Sequence, residues 1–521
     1  MAITFLRTRL IDRGQLLTDD CLRVADGRIA AIGGPEIARP GDQLFDGGTL
    51  LPGLIDAHVH LVPGASQLSA TFGVTTLIDL FSKPDLITAE RAAGADFRTS
   101  SIGATAPGGH PSLAYAPFPY VEGPADAEQF VADRIAEGAD HLKLIYDDGS
   151  GHGLQMPSLD LATVEALTNA AHAQGLKVVA HISTASAAVA VAACGVDVLA
   201  HAPNDELSAE QVQALADAGI AVIATLDVID GFGVLPLREE AELIARMPAR
   251  WRRLLDSQAR RWMPPQAPDG AAALANVLAL HQAGVTILAG TDAPNPGLVF
   301  GASLHRELQH LVHAGLTPAE ALTAATSGPA EVFGLADRGR IAVGARADLL
   351  LVDGDPLTDI TATHRIRRTW LQGVEPTGYA GSDIELAGLA FIGETTTRIV
   401  NAIKEMWPNF PGPEDVLRED GELLGHVIPL TDGWEPITTF GAALGPVGEH
   451  DDAVATVERD GLASLAEPWW ARTDGWVWEE ATIVEAQPDR VRLRWNDPMR
   501  EQPPSGQWYP LTDVDLSRTK P

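Results

Sequence analysis

The chain has 521 residues, 45% hydrophobic and 21% charged, with 70 acidic against 37 basic side chains and a formal net charge of −33. That length exceeds one ordinary hydrophobic core and predicts at least two structural units of globular type. The acidic balance argues against nucleic-acid phosphates and anionic membranes as partners, because both attract basic patches.

Residues 2–50 alternate short apolar runs with turn signals at Asp26-Gly27, Gly33-Gly34-Pro35 and Gly47-Gly48. Segments Ile3–Leu6, Cys21–Ala25 and Arg28–Ile32 read as short strands of a small β unit. From residue 51 the pattern becomes strand, helix, strand, helix. Strands are expected at Leu54–His60, Thr75–Leu80, Ser101–Ala106, His141–Tyr146, Lys177–Ile182, Val198–Pro203, Ala221–Leu226 and Thr286–Asp292. Ala-rich helical stretches separate most of them, for example Leu159–Ala173, Ser208–Ala218 and Asp269–His281. Alternating βα order over roughly 240 residues is the size of a (β/α)8 TIM barrel. An open doubly wound sheet is the competing architecture, but no GxGxxG follows the first strand and no phosphate loop is present.

The strand-rich character of residues 2–50 returns in Gly339–Pro356 and Arg365–Leu371. The expected organisation is therefore α/β, with residues 1–50 and 340–375 in one small flanking β-sandwich domain and 51–339 in the barrel. Residues 385–521 form an extra C-terminal Trp-rich α+β domain, with a small β-barrel at 465–517. Trp407, Trp434, Trp469, Trp470, Trp476, Trp478, Trp495 and Trp508 fall there, out of 11 tryptophans in the chain. They read first as the core of a small domain and second as a partner groove. The chain has 2 cysteines, Cys21 and Cys194, neither in a zinc-type spacing. With no signal-like run in MAITFLRTRLIDRG and no membrane-length apolar stretch, a cytoplasmic location is expected.

The stretch LPGLIDAHVH carries His58 and His60 two positions apart, hence on one face of an extended segment. Paired imidazoles at a strand end suit a divalent metal. Later strand ends supply Lys143 in HLKLIY, His181 in VVAHIS, His201 in VLAHAP and Asp292 in LAGTDA; strands two and seven offer nothing comparable. In a (β/α)8 barrel these ends share one rim, where active sites sit. Each residue alone has a structural explanation, but ligand types on five separate strands point to a metal site.

These motifs, with GADHLKL and GRIAVGARADLLLVDGDP, resemble the amidohydrolase superfamily, specifically its imidazolonepropionase-like and prolidase-like branch with a binuclear metal site. The resemblance runs to about Asp355 and excludes the region after Glu375. It implies that His58, His60 and Asp292 hold the more buried metal and His181 and His201 the more exposed one. It also implies a carbamylated Lys143 bridging two divalent ions, with zinc expected. A hydroxide between the ions would attack a small-molecule substrate, and Asp292 would act as general base and then acid. His110 in APGGHPS and Tyr146 after strand four are the candidate substrate contacts.

The implied activity is hydrolysis of an amide, peptide-like or cyclic amide C–N bond. A lactonase or a deaminase of the same superfamily is the alternative, although His181 is followed by Ile182-Ser183-Thr184 rather than the His-x-x-Glu of such deaminases. A non-catalytic scaffold with a C-terminal interaction module is the remote one. A homo-oligomer is compatible with the sequence.

Overall fold

A computed structural model describes residues 2–91, 94–230, 237, 240–258, 269–376, 378–406, 414–418, 421–430, 433–439, 443–473, 478–487, 490–496, 502–511 and 513–518. The chain divides into two compact units, Met1–Arg246 with Pro265–Ile399, and Met247–Pro264 with Val400–Pro521.

In the first unit, the two flanks of the long α/β stretch form two sheets, the second of which draws strands from both flanks. One has the order Arg28–Gly33, Cys21–Ala25, Ile3–Leu6, Gln43–Asp46. The other runs Ile366–Trp370, Leu349–Val352, Thr49–Pro52, Arg9–Asp12, Gln15–Leu16. Leu349–Val352 lies antiparallel to Thr49–Pro52, with Leu351 opposite Leu50. The two sheets share a core of Ile3, Phe5, Leu10, Leu22, Val24, Leu50, Leu349, Leu351 and Trp370. Trp370 is fully buried, edge-on to Phe5 at 4.9 Å and to Phe45 at 5.0 Å. Trp370→Ala is expected to destabilise this unit by about 3–5 kcal/mol through lost contacts and a cavity. A lowered denaturant midpoint would show it; an unchanged midpoint would deny the indole its place in this core.

Between these flanks lie eight parallel strands among the described residues. They are β1 (Leu54–Val59), β2 (Val74–Asp79), β3 (Asp96–Thr99), β4 (Leu142–Ile145), β5 (Val178–His181), β6 (Val198–Ala200), β7 (Ala221–Ile223) and β8 (Thr286–Leu288). One sheet has the order β3-β2-β1 and a second runs from β4 to β8 in sequence order. Isolated parallel bridges join Ala104 to Leu144 and Val59 to Ala293. The strands are short and almost wholly buried, as parallel strands covered on both faces must be. Intervening helices begin at residues suited to capping. Asp160 accepts from the Thr163 N–H, Ser208 and Gln211 form a capping box, and Asp269 accepts from the Ala272 N–H.

The third strand departs from the expected Ser101–Ala106. It lies at Asp96–Thr99, and only Ala104 of the expected run bridges a neighbour. Alternating Asp96 and Arg98 disguise it as loop, yet Asp96 is held by Arg338 at 2.5 Å. Ser101 then takes a φ of 54°, which ends the extended run.

The expected start of the C-terminal extension at 385 also shifts. Residues up to Ile399 belong to the first unit, and the helix Asp383–Met406 begins within it. Tyr379 and Ile384 pack so closely on Gly64 that a side chain there would meet Tyr379 at 2.7 Å. In the second unit, Glu414–Leu417, Leu423–Leu430 and Gly433–Ile437 form an antiparallel sheet. The helix His450–Asp460 shares its core through Val427, Ala453 and Val457. No element is expected there from the sequence pattern. A second antiparallel sheet has the order Gln507–Pro510, Arg490–Trp495, Glu479–Gln487, Pro468–Arg472, Asp515–Ser517. Trp469 and Trp495 lie in its core, whereas Trp478 and Trp508 stack under Arg472 and Arg490. Trp407 and Trp476 lie outside the described residues.

Candidate metal centre

The site begins with the alternation of β1. Asp56, His58 and His60 share a face, and the chain following β8 runs alongside them. The His60 N–H donates to the Ala293 carbonyl at 2.8 Å, and the Asp292 N–H donates to the His58 carbonyl at 2.7 Å. Gly290 permits this approach, because a Cβ there would fall 2.9 Å from both His58 Cβ and His58 N. Asp292 itself adopts a φ of 62°, a left-handed conformation that Asp tolerates better than most residues.

That backbone turn brings Asp292 Oδ1 to 3.1 Å from His58 Nε2 and 3.0 Å from His60 Nε2. Asp292 Oδ2 lies 3.9 Å from His201 Nε2. The His58 and His201 rings stack at 4.8 Å. His58, His201 and Asp292 each offer a ligand atom, all within 4.8 Å of one another.

On the other side, His201 Nε2 is 3.0 Å from His181 Nδ1. The remaining nitrogens are committed elsewhere: His201 Nδ1 lies 2.7 Å from Thr225 Oγ1, and His181 Nε2 lies 3.1 Å from Asp147 Oδ2. If each of those nitrogens carries its ring's proton, the two facing nitrogens are both lone pairs. Two lone pairs at 3.0 Å repel unless a cation is shared between them.

Lys143 on β4 is buried, at 2% exposure, and its Nζ has no hydrogen-bond partner. Both ring nitrogens of His58, Nδ1 of His60 and Oδ1 of Asp292 are likewise buried without a hydrogen bond of sound geometry. Native interiors satisfy such groups, so this concentration in one place marks a site shaped for something else.

Burial pushes the Lys143 amine down to about 7, with Asp292 and Asp79 pulling the other way. Burial also holds His58 and His201 well below the ordinary imidazole value. Burial would raise the Asp292 carboxyl, but His58, His60 and His201 override it and hold the group well below the carboxylate range. Neutral imidazoles beside an ionised carboxylate are the protonation states that a divalent metal requires. The residues present therefore fit the expected group.

Strands two and seven, expected to contribute nothing, supply supporting groups. Asp79 ends β2, fully buried, and accepts from Thr99 Oγ1 at 2.5 Å and Ser82 Oγ at 2.7 Å. Thr225 follows β7 and fixes His201. Asp56 accepts from the Thr291 N–H at 2.9 Å and Thr291 Oγ1 at 2.7 Å, tying β1 to the chain that carries Asp292. Burial pushes Asp56 up to about 7 against those hydrogen bonds.

His110 is brought to the cluster, stacked on His181 at 4.8 Å, and burial followed by the charge of His181 lowers it to about 3. Tyr146 is not. It lies just beyond β4, and the charged groups that act on it are Asp148, Cys194 and Asp160, none of them a candidate ligand. The phenol beside the cluster is Tyr115, with its ring 6.1 Å from that of His60. Burial, then Asp292 and Asp79, raise its hydroxyl above the usual phenol range, so it stays protonated.

The amidohydrolase family model matches residues 49–375 of this chain. The chain belongs to the amidohydrolase family. An uncharacterized protein of Mycobacterium tuberculosis is 28% identical over 379 residues, covering 67% of this chain and 90% of the relative. An imidazolonepropionase of Mycolicibacterium smegmatis is 27% identical over 390 residues, covering 66% of this chain and 87% of that protein. A Xaa-Pro dipeptidase solved with methionine in its active site is similar with a TM-score of 0.60 at 21% identity. That match covers 73% of this chain and 100% of the dipeptidase, a likeness of fold that gives a TIM-barrel-like α/β architecture. This amidohydrolase is thus similar in sequence to imidazolonepropionases and in fold to a Xaa-Pro dipeptidase.

Supporting residues around the cluster are testable through metal affinity. Thr225→Val removes the hydroxyl that faces His201 Nδ1 while keeping the side-chain shape. We expect metal affinity to weaken by about 10–100-fold, as for other outer ligand partners. Chelator competition measures it, and an unchanged affinity would make Thr225 mere packing.

Proposed function

We propose that this amidohydrolase cleaves an amide, peptide-like or cyclic amide C–N bond of a small-molecule substrate at a binuclear metal centre. The observation that carries the proposal is the cluster of buried, unpaired donor atoms on His58, His60, Lys143 and Asp292 beside the His181–His201 pair. His58, His60 and Asp292 would hold one divalent ion, and His181 and His201 the other, with zinc the expected metal. Lys143 would be shared as its carbamate, because an ammonium repels cations whereas a carbamate offers anionic oxygen. A buried, unpartnered amine lowered to about 7 is available in the neutral form that adds carbon dioxide. When bound, the two ions would polarise the scissile carbonyl and lower the pKa of water.

The rest falls to this chain's own side chains. Asp292 is ionised and close to three imidazoles, so it can take a proton from the attacking water and return it to the leaving nitrogen. Thr225 and Asp147 hold His201 and His181 with one nitrogen of each turned inward. His110, neutral at pH 7, can hydrogen-bond the substrate on the side of His181.

The same reading extends to architecture. We take β1 to β8 as a closed (β/α)8 barrel, supported by the bridges Ala104–Leu144 and Val59–Ala293. The two sheets that share the Trp370 core form the flanking β-sandwich domain, and the sheet around Trp469 is a separate C-terminal module. The free cysteines Cys21 and Cys194 suit a reducing compartment such as the cytoplasm. Among the described residues no helix is long and apolar enough to cross a membrane.

The test is turnover by the full chain, loaded with zinc in bicarbonate buffer, of dipeptides, N-acyl amino acids, cyclic amides and lactones. Release of an amine from an amide is expected. Turnover of lactones alone would replace the amidase by an esterase, and ammonia release from an amidine would make it a deaminase. No turnover with both metals bound would favour a scaffold.

A further inference from the structure

We propose that Tyr115 is a substrate-contact residue whose ring, backed by Phe81, is the platform for a planar apolar group of the substrate beside His60. The proposal rests on the hydrolase reading above and adds the substrate's shape. Tyr115 ends the short helical turn Ser112–Tyr115, inside a loop pinned at both ends by Thr105. Thr105 Oγ1 donates to the His110 carbonyl at 2.7 Å, and the Val121 N–H donates to the Thr105 carbonyl at 3.0 Å. This one loop therefore places His110 against His181 and Tyr115 against His60, spanning both groups of metal ligands.

The ring of Tyr115 stacks on Phe81 at 5.1 Å with planes 27° apart, and Phe118 meets Phe81 edge-on at 5.2 Å. Phe81 and Phe118 are buried with Ile102, while Tyr115 is packed against that cluster and remains partly exposed. A tyrosine used as core filler finds a hydrogen-bond partner for its hydroxyl. The Tyr115 hydroxyl has none among the described residues, and the charges that act on it are those of Asp292 and Asp79. The side chain thus has an aromatic backing, partial exposure and a hydroxyl without a hydrogen bond among the described residues, with its ring 6.1 Å from that of His60. A flat apolar substituent fills that flank by offset stacking, and the hydroxyl donates to a polar atom of the bound substrate.

Two metal-binding probes of different bulk test this without turnover: acetohydroxamate and benzohydroxamate, titrated calorimetrically into the zinc-loaded full chain. The parent should bind benzohydroxamate about fivefold or more tightly than acetohydroxamate, the worth of one aromatic pair. Tyr115→Leu and Tyr115→Ala should bring the two probes to near parity with zinc content unchanged. Tyr115→Phe should keep the preference and lose about fivefold in kcat/KM on amides, the worth of one hydrogen bond. No preference in the parent, or a preference that survives Tyr115→Leu, would overturn the platform. Equal weakening of both probes in the two truncations would overturn it too, since it marks a distorted site. If neither probe binds the zinc-loaded parent, the hydrolase reading itself fails, and the platform with it.

Discussion

Lys143→Ala should cost this amidohydrolase one of two metals and about 10²-fold or more in activity. The loss corresponds to several kcal/mol of charge stabilisation, at about 1.4 kcal/mol per decade. The substitution leaves His58, His60, His181, His201 and Asp292 in place but removes the group that we propose is shared between the two ligand sets. The ion on His181 and His201 should leave first, because that pair brings no anionic ligand of its own. Acetate or propionate should restore part of the activity by placing a carboxylate in the vacated space. A merely structural lysine makes the contrary forecast of lower stability with full metal content. Metal analysis of the purified variant, with and without propionate, separates the two. Two equivalents retained with parental activity would rule out a carbamate bridge.

Asp292→Asn is the second large effect. The amide keeps the shape and an oxygen towards His58 and His60, but it cannot accept and return a proton. Activity should fall by about 10²–10⁴-fold, the range for losing a general acid–base. Loss of the negative charge should also weaken the ion on His58 and His60, so metal content must be restored by excess zinc before rates are compared. The parent should keep this group ionised well below the usual carboxylate range, since the three imidazoles lower its pKa. The pH–rate profile should therefore show no acid limb near neutrality that belongs to this carboxylate. An acid limb near pH 7 that disappears in Asp292→Asn would contradict the ionised assignment.

Much of the candidate site was legible because β1, β4, β5 and β6 are short runs of Leu, Ile, Val and Ala in which, or just after which, few polar residues stand. His58, Lys143, His181 and His201 therefore stood out against Leu, Val and Ala. Asp292 was legible for the same reason, although its left-handed turn was not. Tyr146 follows β4 in the loop beyond Ile145, where no strand period says where a side chain points. The charged groups that act on it are Asp148, Cys194 and Asp160 rather than the ligand cluster. Tyr115 could not be read, because a loop has no periodicity to say where a side chain points. Asp79 and Thr225 were overlooked because they act through hydrogen bonds to neighbours, and no spacing rule marks such roles.

The fold shows the same division. Buried parallel strands announce themselves by composition, so seven of the eight overlap their expected positions. Asp96–Thr99 escaped because its polar residues are satisfied by Arg338 and Arg98, contacts far away in sequence or hidden among short runs. In the second unit the sheet at Glu414–Ile437 and the helix His450–Asp460 went unread. Its strands carry charged and proline residues, and its core is a few valines and leucines shared between sheet and helix.

The measurement that tests the account most directly is a zinc titration of the metal-free full chain in bicarbonate, following bound metal and amide turnover together. Two equivalents should bind per chain, with activity rising mainly as the second is taken up. Full activity at one equivalent, or saturation at one with Lys143 unmodified by mass, would contradict the binuclear centre.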